Sequence, residues 1–239
     1  MNDQAEIFDA NDKPVVDVAP ANMGFPALLD GGMKAKLVID PAGESKAKWE
    51  RMEDIVRAFL TEIVGEDIDR EGLRETPKRV VKAWLSSWAA GYMHDPAEVL
   101  KVFEDGAEGS DDWIIVRDIP IYSHCEHHMA AIMGTAHIGY IPSGKVVGIS
   151  KLKRLADIFA KRLQVQERLT NQIADALAQH VQPRAVYVTI NARHMCMESR
   201  GVNTPGSSTV TSAARFPTGT SDKEVQRQLD RFYQKLSGF

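Results

Sequence analysis

A chain of 239 residues with 44% hydrophobic and 26% charged residues has a globular composition and enough length to bury a core, in one large domain or one domain with an N-terminal annex. No stretch approaches the roughly 18 consecutive apolar residues of a membrane span, and the start, MNDQAEIFDANDK, lacks the charged-then-apolar order of an export signal, so a cytoplasmic location with no membrane partner is expected. A formal net charge of -4 gives no general attraction for nucleic acid, so any bound anion must be held by a local basic cluster.

Residues 1–45 show no sustained period and are punctuated by Pro14, Pro20, Pro26, Gly31, Gly32 and Pro41, the pattern of a partly disordered tail. From about residue 46 the apolar residues Trp49, Met52, Ile55, Val56, Phe59, Leu60 and Ile63 recur at three and four, which predicts an amphipathic helix. Thr76 and Pro77 read as an N-cap followed by proline at the first helical position, ahead of a second stripe from Val80 to Trp88. Asp95-Pro96 opens a shorter third helix. These segments form an expected N-terminal helical region, 46–110, before a catalytic domain, 111–239.

After EDGAEGSDD the grammar changes. Trp113–Tyr122 is rich in β-branched and aromatic residues, and Ala136–Ile141 alternates, so both predict strands. Ser150 is placed to cap a helix that turns Leu152, Leu155, Ile158, Phe159 and Leu163 inward, and Leu169 to Val181 marks another helix that stops before Pro183. Ala185–Asn191 reads as a strand, and Ser221-Asp-Lys-Glu224 is a capping box for a last helix. Helices and strands in blocks, without strict βαβ alternation, predict an α+β fold with an antiparallel sheet.

The only cysteines are Cys125 and Cys196, and in a chain without an export signal metal binding or catalysis is a better expectation than a disulfide. In Cys125-Glu126-His127-His128, just after a strand, Cys125 and His128 can reach one ion, and thiolate with imidazole favours zinc. A lone segment of this kind also describes a turn with a buried cysteine and solvated histidines. His194-Met195-Cys196 adds the second cysteine, and in extended chain positions two apart share a face, so His194 would point to the same site as Cys196. Three ligands leave a fourth position open, as in catalytic zinc sites, where a bound water has a pKa near about 7. His127 and His194 would then be available to move protons, or simply lie beside the ligands or on the surface.

Ser150-Lys151-Leu152-Lys153-Arg154 crowds three cations into a helix start that is already partly positive. A bound phosphate would relieve the conflict, with Arg200 as a further guanidinium; a solvated basic helix start is the plainer alternative. Glu167, beside Gln166, has the acceptor pattern to pair with adjacent N–H donors of a planar base such as guanine, or else with an arginine on its own helix.

The strings SHCEHH, AHIGYIP, GISKLKR, RLQVQERLTNQIA, HMCM, SRGV and TVTS, in this order, resemble the GTP cyclohydrolase I family. The resemblance implies hydrolysis of the imidazole ring of GTP to formate and 7,8-dihydroneopterin triphosphate, which opens pterin and folate synthesis. It implies the tunnelling fold, with an antiparallel sheet carrying helices on one side, subunits pooling their sheets into a barrel, and sites between subunits of a homodecamer of two pentamers. It assigns zinc to Cys125, His128 and Cys196, and acid/base roles to His127 and His194. It assigns the base to Glu167 and Gln166, ribose and triphosphate to Ser150, Lys151, Arg154 and Arg200, and a phosphate contact to Arg79. Met129-Ala130-Ala131-Ile132 departs from the leucine, small residue, proline and phenylalanine frequent there, which is expected to loosen the turn. His124 and Arg193 are further departures. Two other readings compete. A zinc nucleobase deaminase predicts H-x-E with P-C-x-x-C, and neither is present. A closed, non-catalytic zinc module prefers four protein ligands.

Overall fold

The computed structural model describes residues 44–104, 106 and 109–238. The expected tail therefore lies almost wholly outside the described residues. The chain divides into two compact units between Met93 and His94, so residues 94–110, grouped on sequence with the N-terminal helices, belong to the second unit.

In the first unit α1 spans Glu44–Ala58. It continues as a π-helical turn, Phe59–Val64, that ends at Gly65, whose left-handed backbone (φ 78) lets its N–H return to Leu60 O. The next helix, α2, spans Thr76–Ala83 and is capped by Glu75, not Thr76 as expected. The Thr76 N–H already donates to Leu73 O at 2.9 Å, which draws Thr76 into the helix as its first residue. The two predicted stripes meet: Met52, Ile55 and Val56 share one apolar pocket with Val80, Val81, Trp84 and Leu85. No helix among the described residues is long and apolar enough to cross a membrane.

The second unit begins with α3, Pro96–Val99, whose Asp95 cap accepts from the Ala97 N–H. A two-stranded ribbon joins β1 (Val102–Phe103) to β4 (Val146–Val147). The main sheet holds β2 (Ile114–Cys125), β3 (Ala131–Ile141), β5 (Leu163–Gln164), β6 (Ala185–His194) and β7 (Thr209–Arg215). Its order is β5-β2-β3-β6-β7, antiparallel except for the short β2/β5 pair. Four helices complete the unit: α4 (Ile149–Ala160), α5 (Gln166–Val181), α6 (Met195–Glu198) and α7 (Asp222–Ser237). This is the expected α+β architecture with a mainly antiparallel sheet.

Strand alternation sorts the core into two clusters. Val186, Val188, Ile190 and Ala192 of β6 pack with Leu152, Leu155 and Phe159 of α4 and Leu169, Ile173 and Leu177 of α5. Ala185 and Tyr187, on the opposite face, pack with Trp113, Ile141 and Phe232. Helices α4 and α5 thus share one face, and α7 covers the reverse. Gly139 makes room for that cover, because a Cβ there would lie 2.6 Å from Phe232 Cε2. The predicted capping box is half formed: Ser221 Oγ accepts from the Glu224 N–H at 3.3 Å, while the Glu224 carboxylate turns to Arg227 and Gln228.

A bulge in β2 decides where the site lies. The pairing with β3 shifts between Val116 and Ile119, where Asp118 has φ 54 and its N–H donates to His137 Nδ1 at 3.1 Å. Before the bulge the even-numbered Ile114 and Val116 face α4 and α5; after it the odd-numbered Ile119, Ile121 and Cys125 do. One inserted residue reverses the alternation. Without it Cys125 would point to the other face.

Candidate active site

Cys125 ends β2 with 5% of its surface exposed. The turn that follows is closed twice, by Cys125 N–H to Ala130 O and Met129 N–H to Cys125 O, both at 2.8 Å. Met129 takes the left-handed backbone (φ 54) that the turn needs. Both hydrogen bonds of the turn form without the proline. A further tie holds it to the sheet edge: Glu126 N–H donates to Gln164 O at 3.0 Å, and the Glu126 carboxylate pairs with Arg168.

Within this frame one ligand atom each from Cys125, His128 and Cys196 lies within 4.8 Å of the other two. His128 Nδ1 is 3.9 Å from Cys125 Sγ. A tetrahedral zinc with bonds of about 2.3 Å to sulfur and about 2.0 Å to nitrogen separates such ligands by roughly 3.5 Å. The three donors fit a zinc-sized ion with small adjustment. They are two soft thiols and an imidazole, a set that discriminates against magnesium and calcium. Burial, followed by the neighbouring Cys125, pushes the Cys196 thiol above its ordinary pKa. A divalent cation reverses that effect by favouring thiolate. His127 Nδ1 is also 3.7 Å from Cys125 Sγ. It stands outside the three-way cluster, with 64% of its side chain exposed and Nε2 3.9 Å from Glu126 Oε1.

Contrary to what their spacing predicts, His194 and Cys196 do not lie together in extended chain. His194 ends β6 and caps α6, and Met195–Glu198 is one helical turn, so the two residues do not share a strand face. The placement comes instead from the junction itself, where strand becomes helix. His194 Nε2 lies 2.8 Å from Gln166 Oε1. Burial lowers the His194 pKa from its ordinary value, and the nearby Glu167 carboxylate opposes that shift. Glu167 is exposed in the first turn of α5, and among the described residues it forms no ion pair with an arginine of its own helix, where Arg168 pairs with Glu126 instead. Gln166 is buried, with its amide hydrogen-bonded to protein groups on both sides.

The expected anion site keeps its cations but changes its cap. Gly148 caps α4, with Lys151 N–H donating to Gly148 O at 2.8 Å, and Ser150 is the second helical residue with an exposed side chain. The helix starts two residues early because β4 ends at Val147 and the backbone turns at Gly148. Lys153 pairs with Asp157 one turn on, which absorbs one of the three charges. Among the described residues Lys151 and Arg154 form no ion pair, and neither hydrogen-bonds to the Cys125, His128, Cys196 group. Arg200 follows α6 and is close enough to Cys196 to act on it electrostatically. Arg79 lies in the first unit, on α2.

One structural feature of this region was missed on sequence. Arg193 grips Glu198 with two nitrogens, Nε at 2.8 Å, and the Glu198 carboxylate also accepts from the Gly206 N–H at 3.0 Å. This pins the α6 turn to the strand before it and the loop after it. The Arg193 guanidinium, followed by the Gly206 N–H, holds the Glu198 carboxyl down at about 2. A spacing of five between the two residues matches neither strand nor helix periodicity, so no sequence signal marked the pair.

Residues 52–233 match the family described as GTP cyclohydrolase I. A protein of Janthinobacterium sp. (strain Marseille) named GTP cyclohydrolase 1 is 61% identical over 184 residues, covering 76% of this chain and 88% of the relative. One of the same name from Nitrosospira multiformis is 58% identical over 154 residues, 64% of this chain and 80% of the relative. Another from Maricaulis maris is 47% identical over 200 residues, 83% of this chain and 94% of the relative.

Proposed function

The chain belongs to the GTP cyclohydrolase I family and is a hydrolase acting on GTP; from that premise we propose that Cys125, His128 and Cys196 hold one zinc ion at which the imidazole ring is opened. The observation that carries this reading is the convergence of the two cysteines and one histidine, from segments about 70 residues apart in sequence, within 4.8 Å of one another. When bound, zinc supplies a Lewis acid and lowers the pKa of a coordinated water to about 7.

The remaining work falls to side chains. His127, exposed beside Cys125, and His194, at the end of β6, would give and take protons as water adds to the ring and formate leaves. Glu167 offers a carboxylate to the N–H donors of guanine. Lys151 and Arg154 at the start of α4, Arg200 after α6 and the Ser150 hydroxyl would hold ribose and triphosphate, with Arg79 as an additional phosphate contact. Anion capture here answers the electrostatic conflict of a cationic helix start.

Family membership supports a homo-oligomer, a decamer of two pentamers with tunnelling-fold sheets pooled into a barrel and sites between subunits. The sheet itself favours such pooling: β7 is a seven-residue edge strand, and Val210 on it is 64% exposed. The reading extends to a cytoplasmic enzyme at the entry to pterin and tetrahydrofolate synthesis. Metal analysis of the purified chain is expected to find one zinc per subunit. Iron or magnesium at that stoichiometry, or less than half an equivalent of zinc after zinc loading, would contradict the zinc assignment.

A further inference from the structure

Gln166, the first residue of α5, is 1% exposed although its side chain is polar. Its Nε2 lies 3.0 Å from Ile190 O, 2.9 Å from Thr209 O and 3.1 Å from Thr211 Oγ1. Its Oε1 lies 2.8 Å from His194 Nε2. One buried amide therefore joins α5, β6 and β7 to the histidine at the end of β6.

The partners on the two sides fix which end of the amide is which. Backbone carbonyls only accept, so the end facing Ile190 O and Thr209 O must be the NH2 group. The threonines give the same answer. Thr170 Oγ1 is 2.7 Å from Gln166 O, to which its single proton must go. Thr211 Oγ1, 2.6 Å from Thr170 Oγ1, must then be the donor in that pair. Its lone pairs are left to face Gln166 Nε2, which must donate. The oxygen end is thereby committed to His194, and an oxygen without a proton can only accept.

We propose that Gln166 is a positioning residue that holds His194 in the tautomer protonated at Nε2, leaving Nδ1 as the nitrogen that exchanges a proton with substrate. The amide is then spent on protein groups and does not read the base, the role the family resemblance gave it; base recognition on this segment falls to the exposed Glu167 alone. The proposal rests on the reading of His194 as a proton carrier. A histidine in the other tautomer would set two lone pairs against each other across the 2.8 Å contact.

The test is a double-mutant cycle on the full, zinc-loaded chain with GTP, reading KM, zinc content and single-turnover formate release. Gln166→Leu is expected to lower turnover about 10- to 100-fold, with zinc content unchanged and KM within about twofold. In a His194→Ala background the same substitution should have no further effect, because the residue through which it acts is gone. Equal losses in both backgrounds, or a raised KM with turnover unchanged, would overturn the positioning role. Full turnover in His194→Ala alone would instead sink the proton-carrier reading. Gln166→Leu also strands the carbonyls of Ile190 and Thr209 at a cost to folding, so a second measurement uses the unsubstituted protein. Nitrogen-15 NMR of histidine-labelled, zinc-loaded chain should find the His194 proton on Nε2; a proton on Nδ1 with Nε2 bare contradicts the proposal.

Discussion

Cys196→Ser protein is expected to purify with less than a tenth of the zinc of the unsubstituted chain and to release no measurable formate from GTP. Only two donors, Cys125 and His128, would remain of the three that converge, and a serine hydroxyl is a poor ligand for a borderline-soft cation. The second cysteine is held where it is by the α6 turn, which the Arg193–Glu198–Gly206 contacts keep in place without Cys196. The fold should therefore survive the substitution, and a thermal unfolding profile of the variant should match that of metal-stripped unsubstituted protein. Zinc bound to Cys196→Ser at full stoichiometry would remove Cys196 from the ligand set.

His127→Ala should behave in the opposite way, keeping its zinc while turnover falls by about a hundredfold to ten-thousandfold, the usual range for loss of a positioned proton carrier. His127 stands beside the ligand cluster without joining it, and with 64% of its side chain exposed it contributes little to packing. Metal analysis and steady-state formate release on one preparation separate the two roles. Loss of zinc along with activity would make His127 a ligand, and unchanged turnover would leave it a surface residue.

Much of the α+β architecture was legible because it rests on periodicity. The stripe from Leu152 to Phe159 and the run from Leu169 to Val181 appear as α4 and α5, and the alternation around His137 and Tyr140 as β3. The candidate ligands were legible for a different reason: with two cysteines in 239 residues, each beside a histidine, few other arrangements were open. What escaped depends on contacts between residues distant in sequence or on one-residue shifts. The bulge at Asp118 reverses the facing of everything after it in β2, and nothing in IIVRDIPIYSHC states that it must. Helix caps moved by one or two positions, from Thr76 to Glu75 and from Ser150 to Gly148, because neighbouring turns and strand ends decide them. The family resemblance assigned Gln166 to the base beside Glu167. Only the fold reveals that four protein partners already surround its amide.

Hydrolysis of GTP by this chain is expected to depend on a metal held at Cys125, His128 and Cys196. The most direct measurement is formate released from GTP by one preparation in three states: as purified, stripped with a chelator, and reloaded with zinc. Formate should appear in equimolar amount to GTP consumed in the first state, vanish in the second and return in the third. Zinc-loaded protein that consumes no GTP, or stripped protein that releases formate at the unstripped rate, would contradict it.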